Sequence, residues 1–130
     1  MLKINNEECK IISSDIKYIN CTNHNIEEYA ITVKIEMELN NNKGYISFDI
    51  DHFNNKDFKN IENKKYVDIP SELNSIINFV EIYDTKNFID LIQSEIVVEF
   101  GNIINNSIEA KIIIDDELIK VDYQGLLNLK

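Results

Sequence analysis

The sequence of 130 residues contains no arginine and no tryptophan, and it has only one proline, three glycines, two cysteines and two histidines. Without arginine, all 13 positive charges are lysines, and 23 acidic residues outnumber them to give a net charge of −10. This charge argues against a nucleic-acid-binding protein, because neutralising phosphates requires clustered cationic side chains. It also disfavours binding to an anionic membrane surface.

The scarcity of cysteine, histidine and glycine restricts the chemistry that the chain can carry. Cys9 and Cys21 lack the paired spacing of zinc ligands. The three glycines stand in none of the frames that cradle phosphates, and no serine lies in a nucleophile-elbow motif. Asp49, Asp51 and His52 could hold a cation, but a solvated strand end is the favoured interpretation, because no further converging group is evident. We therefore expect no metal, no cofactor and no enzymatic activity.

Long apolar runs are also missing. No stretch approaches the roughly 18 apolar residues of a membrane-spanning helix, and the first residues do not resemble a signal peptide. We therefore expect reduced thiols and a cytoplasmic location. The length fits a single domain over 1–130, and a hydrophobic content of 44% is enough to build a core.

The clearest pattern in the chain is the alternation of apolar and polar residues over 29–39 and again over 45–51. Period two predicts two strands that each have one buried and one wet face. With a four-residue loop at 40–43, Met37 would face Ile46 in an antiparallel hairpin. On the wet face the same register would place Lys34 opposite Asp49.

Shorter alternating runs predict further strands at 2–4, 9–12, 16–21, 95–100, 108–114 and 119–123. The last two would form a second hairpin, in which Ile112 faces Ile119.

The middle of the chain carries a different pattern. Leu73, Ile76, Ile77 and Val80 follow a helical spacing, which predicts helices at about 71–77 and 85–94. Residues 78–83 also alternate, so their assignment stays open. The predicted fold is therefore α+β, with an antiparallel sheet of hairpins and one or two helices (about 71–94) packed on one face. A β-sandwich or barrel with a minor helix is the alternative.

The wet face of the central hairpin is the candidate interaction surface. Its members are the partner-binding candidates Glu36, Glu38, Tyr45, Asp49 and Asp51. Carboxylates around one amphipathic tyrosine would form a negative patch that attracts a basic partner. The alternative is an ordinary solvated sheet face, or one that the chain itself covers.

These features favour a small acidic protein-binding module. We expect an inhibitor or immunity-type protein, of bacterial kind, that neutralises a basic protein such as a toxin nuclease domain. One alternative is a small-molecule-binding domain with a pocket lined by Asp51, His52 and Tyr66. Another is a phage or mobile-element structural subunit that assembles through open sheet edges.

Overall fold

A computed structural model describes residues 1–21, 26–68, 77–83, 88–90 and 95–130, and its strands form one ten-stranded sheet. In chain order the strands are β1 (Leu2–Ile4), β2 (Glu7–Asn20), β3 (Tyr29–Leu39), β4 (Asn42–Phe53), β5 (Lys65–Asp68), β6 (Ile77–Tyr83), β7 (Phe88–Asp90), β8 (Glu95–Ile104), β9 (Ser107–Asp115) and β10 (Lys120–Leu129). A single turn of 3-10 helix (Phe58–Asn60) lies between β4 and β5.

The strand order across the sheet is β5-β8-β9-β10-β1-β2-β3-β4-β6-β7, and all neighbours in this order pair antiparallel. Most of the strands whose burial is described are apolar on one face only, so the apolar residues of alternate positions line a common side. The sheet curls into a half-barrel around this side. One continuous core cluster results, and Phe48, Phe100 and Tyr123 are its largest fully buried side chains.

The predicted α+β fold, with helices packed on one face, is wrong. Residues 77–83 form β6 and pair with β4, and β7 occupies 88–90 inside the range predicted to be helical. Within the described ranges there is no α-helix. The other parts of the two predicted helices, 71–76, 85–87 and 91–94, lie outside the described residues. A short apolar run is compatible with both the helical and the strand period. Here the hydrogen bonds to the edge of β4 favour the strand.

The predicted hairpin of β3 and β4 is confirmed, but its register differs by two residues. Met37 faces Gly44 and Ile35 faces Ile46, because the loop consists of Asn40 and Asn41 alone. Both asparagines have a positive φ, 52° and 67°, as a type I′ turn requires. A shift by an even number of residues leaves every side chain on its predicted face.

The C-terminal hairpin shows a larger shift of the same kind. Ile112 faces Tyr123, and not Ile119, because residues 116–119 form the loop and β10 extends to Leu129. The shift of four residues again preserves the two faces. The alternation therefore predicted which residues are buried, whereas the turn geometry decided which residues are opposite one another.

The segment between β4 and β5 crosses one end of the half-barrel. Phe58 of this segment packs against Tyr18 of β2, with 4.8 Å between the ring centroids. Tyr18 also contacts Phe53 of β4. Tyr66 of β5 contacts Phe53 in turn, at 6.5 Å, and Phe100 of β8 at 6.1 Å. These contacts join strands that lie far apart in the order of the sheet.

A polar contact joins the same two regions. The backbone N–H of Ile77, at the start of β6, donates a hydrogen bond of 3.2 Å to the carboxylate of Asp68, at the end of β5. Edge strand β5 is thereby held near β4 and β6 without a ladder of backbone hydrogen bonds among the described residues.

Strand β1 is only three residues long, and this leaves a gap between its neighbours β2 and β10. Beyond β1 these two strands meet directly, in a short parallel pairing of Leu129 with Ile16. Inside the gap, the carbonyl oxygen of Leu126 accepts two hydrogen bonds, from the hydroxyls of Ser14 (2.9 Å) and Tyr123 (2.7 Å). Side-chain donors thus replace the strand partner that β1 does not provide.

We expect Asn41→Ala to lower the free energy of unfolding by about 1 kcal/mol, because alanine adopts the left-handed conformation poorly. Asn41→Gly should preserve or raise stability, since glycine takes a positive φ without steric cost. Urea unfolding measures both. The control is Asn42→Ala, in an exposed strand position, with an expected change below about 0.5 kcal/mol. Equal losses for Asn41→Ala and Asn42→Ala would contradict the two-residue turn.

Removing either hydroxyl at the gap is expected to cost about 1 kcal/mol in unfolding free energy, measured in the same way for Ser14→Ala and Tyr123→Phe. The double variant should lose more than the sum of the two, because the carbonyl of Leu126 then has neither donor. Ser13→Ala, one residue away, serves as the control. A double-variant loss equal to the sum of the two single losses would show that the two hydroxyls do not share an acceptor.

Candidate functional site

The outer face of the β3–β4 hairpin carries all five partner-binding candidates. Glu36 lies directly opposite Tyr45. Asp49 lies opposite Thr32, whose hydroxyl donates a hydrogen bond of 2.8 Å to the Asp49 carboxylate. Glu38 and Asp51 follow at the two ends of this surface. The structure therefore places the five side chains on one face, and their predicted role in binding stays a prediction.

Lysines lie among the carboxylates at the end of the hairpin near its turn. Lys43 is opposite Glu38. The Lys34 ammonium lies 3.7 Å from the carboxylate of Glu36 and 4.9 Å from the centre of the Tyr45 ring. This end of the face is consequently of mixed charge, and it does not concentrate negative potential.

Negative charge concentrates at the opposite end of the hairpin. The acidic cluster, as we call it, consists of Asp49 and Asp51 of β4 and of Glu28, which precedes β3 and pairs through its backbone with exposed Cys21. Desolvation by burial raises the pKa of Cys21, and the charges of Asp51, Asp49 and Glu28 raise it further. A negative field acts in this direction because it disfavours the thiolate.

Two local features bring Glu28 into this cluster. Its carbonyl accepts a hydrogen bond of 2.8 Å from the N–H of Cys21, which extends the contact of β2 with β3 by one residue. In β4, two residues, Asp51 and His52, lie opposite the single residue Ala30 of β3. This arrangement is a β-bulge, and His52 has a φ of 72° in it. The imidazole Nδ1 of His52 then lies 3.0 Å from the Glu28 carboxylate.

The alternation pattern did not indicate Glu28 and Cys21 as members of this surface. Cys21 is the last residue of the strand predicted at 16–21 and directly follows β2, and Glu28 directly precedes β3. The antiparallel pairing of β2 with β3 could have indicated that they are neighbours. The bulge at His52 has no comparable signal in the sequence, because a bulge depends on how two strands meet.

In the depression that His52 lines among the described residues, Asp51 and Tyr66, the two other residues named for a pocket, take no part. His52 lines a shallow depression of about 350 Å³, whose other members are Ile26, Glu27, Glu28, Phe53, Asn54 and Asn60. Tyr66 packs instead against Phe53 and Phe100.

Neither thiol has the lowered pKa of an activated nucleophile. Burial raises the pKa of Cys9, as it does for Cys21. Across the part of the chain that the structure describes, no group of three or more histidine, cysteine, aspartate or glutamate side chains is arranged to hold a metal ion. In the same ranges, no helix has the length and apolar character needed to cross a bilayer.

Comparison of the chain with protein-family models, with curated proteins and with solved structures gave no match.

Cys21 can report the field of the acidic cluster. We expect Asp51→Asn to increase the rate at which iodoacetamide alkylates Cys21 near pH 8 by roughly two- to threefold, because removing a negative charge lowers the thiol pKa and raises the thiolate fraction. Iodoacetate should show a larger increase, since its own negative charge is repelled by the cluster. Mass spectrometry of the modified peptide separates Cys21 from buried Cys9.

The matched control for this experiment is Glu109→Gln, which removes one carboxylate charge from β9. It should leave the alkylation rate of Cys21 within experimental error. If Asp51→Asn also leaves the rates with both reagents unchanged, the cluster does not act on the thiol as described.

Proposed function

We propose that this chain is a protein-binding module for a basic protein, and that it acts as an inhibitor or immunity-type protein that neutralises its partner. A cationic toxin, such as a nuclease domain, is the kind of partner that fits. The contact surface is the outer face of β3 and β4, with Glu36, Glu38, Tyr45, Asp49 and Asp51, and the proposal extends it to Glu28.

The acidic cluster is the observation that carries the proposal. Strand pairing and the bulge at His52 bring Glu28, Asp49 and Asp51 to one end of the hairpin, on a chain whose net charge is −10. Such a concentration of negative charge accelerates the encounter with a cationic surface and occupies the groups that would otherwise contact phosphates. An inhibitor of a nuclease needs both properties.

The mixed end of the same face supports specificity. Tyr45 is only partly exposed and is flanked by Lys34 and Glu36, so it offers an amphipathic ring among opposite charges. Charge patterns of this kind suppress wrong partners and define the orientation of the right one. Tyrosine is also among the residues that most often dominate interface energetics.

The proposal includes a cytoplasmic encounter with the partner. Both cysteines are free thiols, Cys9 in the core and Cys21 at the surface. Free thiols are usual in a reducing compartment. A toxin that acts on nucleic acid has its substrate in the same compartment.

The test uses basic protein domains that are encoded beside the gene for this chain, purified and titrated calorimetrically with the full chain. We expect binding that weakens between about 50 and about 300 mM NaCl, because salt screens the charges. The triple variant Glu28→Gln, Asp49→Asn and Asp51→Asn should bind at least about tenfold more weakly. Asparagine at position 49 retains a side-chain oxygen that can accept the hydrogen bond from the Thr32 hydroxyl.

A matched triple variant, Glu95→Gln, Glu99→Gln and Glu109→Gln, removes the same number of charges from exposed positions of β8 and β9. Both triple variants have a net charge of −7, that is −10 plus three. Urea unfolding confirms that each is folded. Equal weakening in the two variants would refute the proposed surface, and absence of binding by any such domain would refute the proposed function.

A further inference from the structure

A second surface of the chain has the opposite charge. A cavity of about 360 Å³ lies on the outer face of β2 and β3 and is lined by Asp15, Lys17, Thr32, Lys34 and Lys130. Three of the 13 lysines meet there beside one carboxylate, so the lining side chains carry a formal charge of +2 on a chain of −10.

Strand pairing builds this cavity. Asp15 lies opposite Lys34 and Lys17 lies opposite Thr32, so the four side chains form a square on the outer face of the sheet. Lys130 is added from the other side of β2, because its N–H donates a hydrogen bond of 2.9 Å to the carbonyl of Ile16 where β10 and β2 pair in parallel. The cluster therefore depends on the gap left by short β1.

The three ammonium groups are available to a ligand. Lys130 lies 3.8 Å from the carboxylate of Asp15, and Lys34 lies 3.7 Å from that of Glu36, with about half of each lysine side chain exposed. Exposed pairs of this length contribute little to stability, so an incoming anion can replace them. Lys17 forms no ion pair within the described part of the chain.

We propose that this cavity binds a small organic anion with two or more negative charges, of the phosphate or polycarboxylate class. Three ammonium groups that converge on one cavity favour an anion with more than one negative charge, and lysine ammonium groups suit phosphate oxygens as compact point charges. The methylene stems of the lysines leave apolar wall for the organic part. Thr32 lines this cavity and also donates a hydrogen bond to Asp49 of the acidic cluster. The two surfaces therefore adjoin, although their charges are opposite.

The test titrates the full chain with inorganic pyrophosphate and, separately, with citrate, at constant ionic strength and with calorimetric detection. We expect saturable binding of at least one with a Kd at or below about 1 mM. Lys17→Gln should weaken it about fivefold, which is the order expected for losing one charge contact near the surface. Tighter binding of pyrophosphate identifies a phosphate ligand, and tighter binding of citrate identifies a carboxylate ligand.

The matched controls are Lys10→Gln and Lys43→Gln, exposed lysines of β2 and β4 outside the cavity lining. Each should change the affinity for the anion less than about twofold, because salt screens the charge of an exposed lysine that does not line the cavity. Absence of saturable binding by both anions, or equal weakening by Lys17→Gln and Lys10→Gln, would overturn the site. These results do not depend on the basic partner proposed above.

Discussion

A sheet with one apolar face can bury that face only against a second layer or against itself. In the described residues of this chain no α-helix forms a second layer, and the apolar faces of the strands close on one another around a single core. Curling of the sheet is therefore the constraint on which the other features depend. It makes the inner face a packed core and turns the outer face, with nearly all of its charges, towards solvent.

Curling also requires contacts between strands that are distant in the sheet. The rings of Tyr18, Phe53, Phe58, Tyr66 and Phe100 connect β2 and β4 with β5 and β8 across one end. At the gap beside β1, two side-chain hydroxyls and the parallel contact of β10 with β2 supplement the short strand. The same contact that completes the sheet carries Lys130 to the outer face.

The two charged surfaces on the outer face follow from strand register. Lysines of β2 and β3 meet because Asp15 faces Lys34 and Lys17 faces Thr32. Asp49 and Asp51 could be predicted to share a face from alternation alone, and they do. Antiparallel pairing of β2 with β3 would have indicated that Glu28 and Cys21 are neighbours, but the bulge that brings His52 to Glu28 depends on the packed sheet. Alternation at 78–83 left a strand open there, but the helical spacing around 77 and 88–90 did not indicate the strand partners that overrode it.

The sequence by itself determined which residues are buried in the alternating runs 29–39, 45–51 and 108–114, since alternation assigns each side chain to a face and an even shift in register does not change that face. It also determined the acidic character and the absence of arginine. Only the tertiary structure decided the register of the hairpins and the strand identity of β6 and β7, because turn geometry and available partners set both. The charge pattern of the outer face was decided at the same level, since charges separated in sequence become neighbours only when their strands pair.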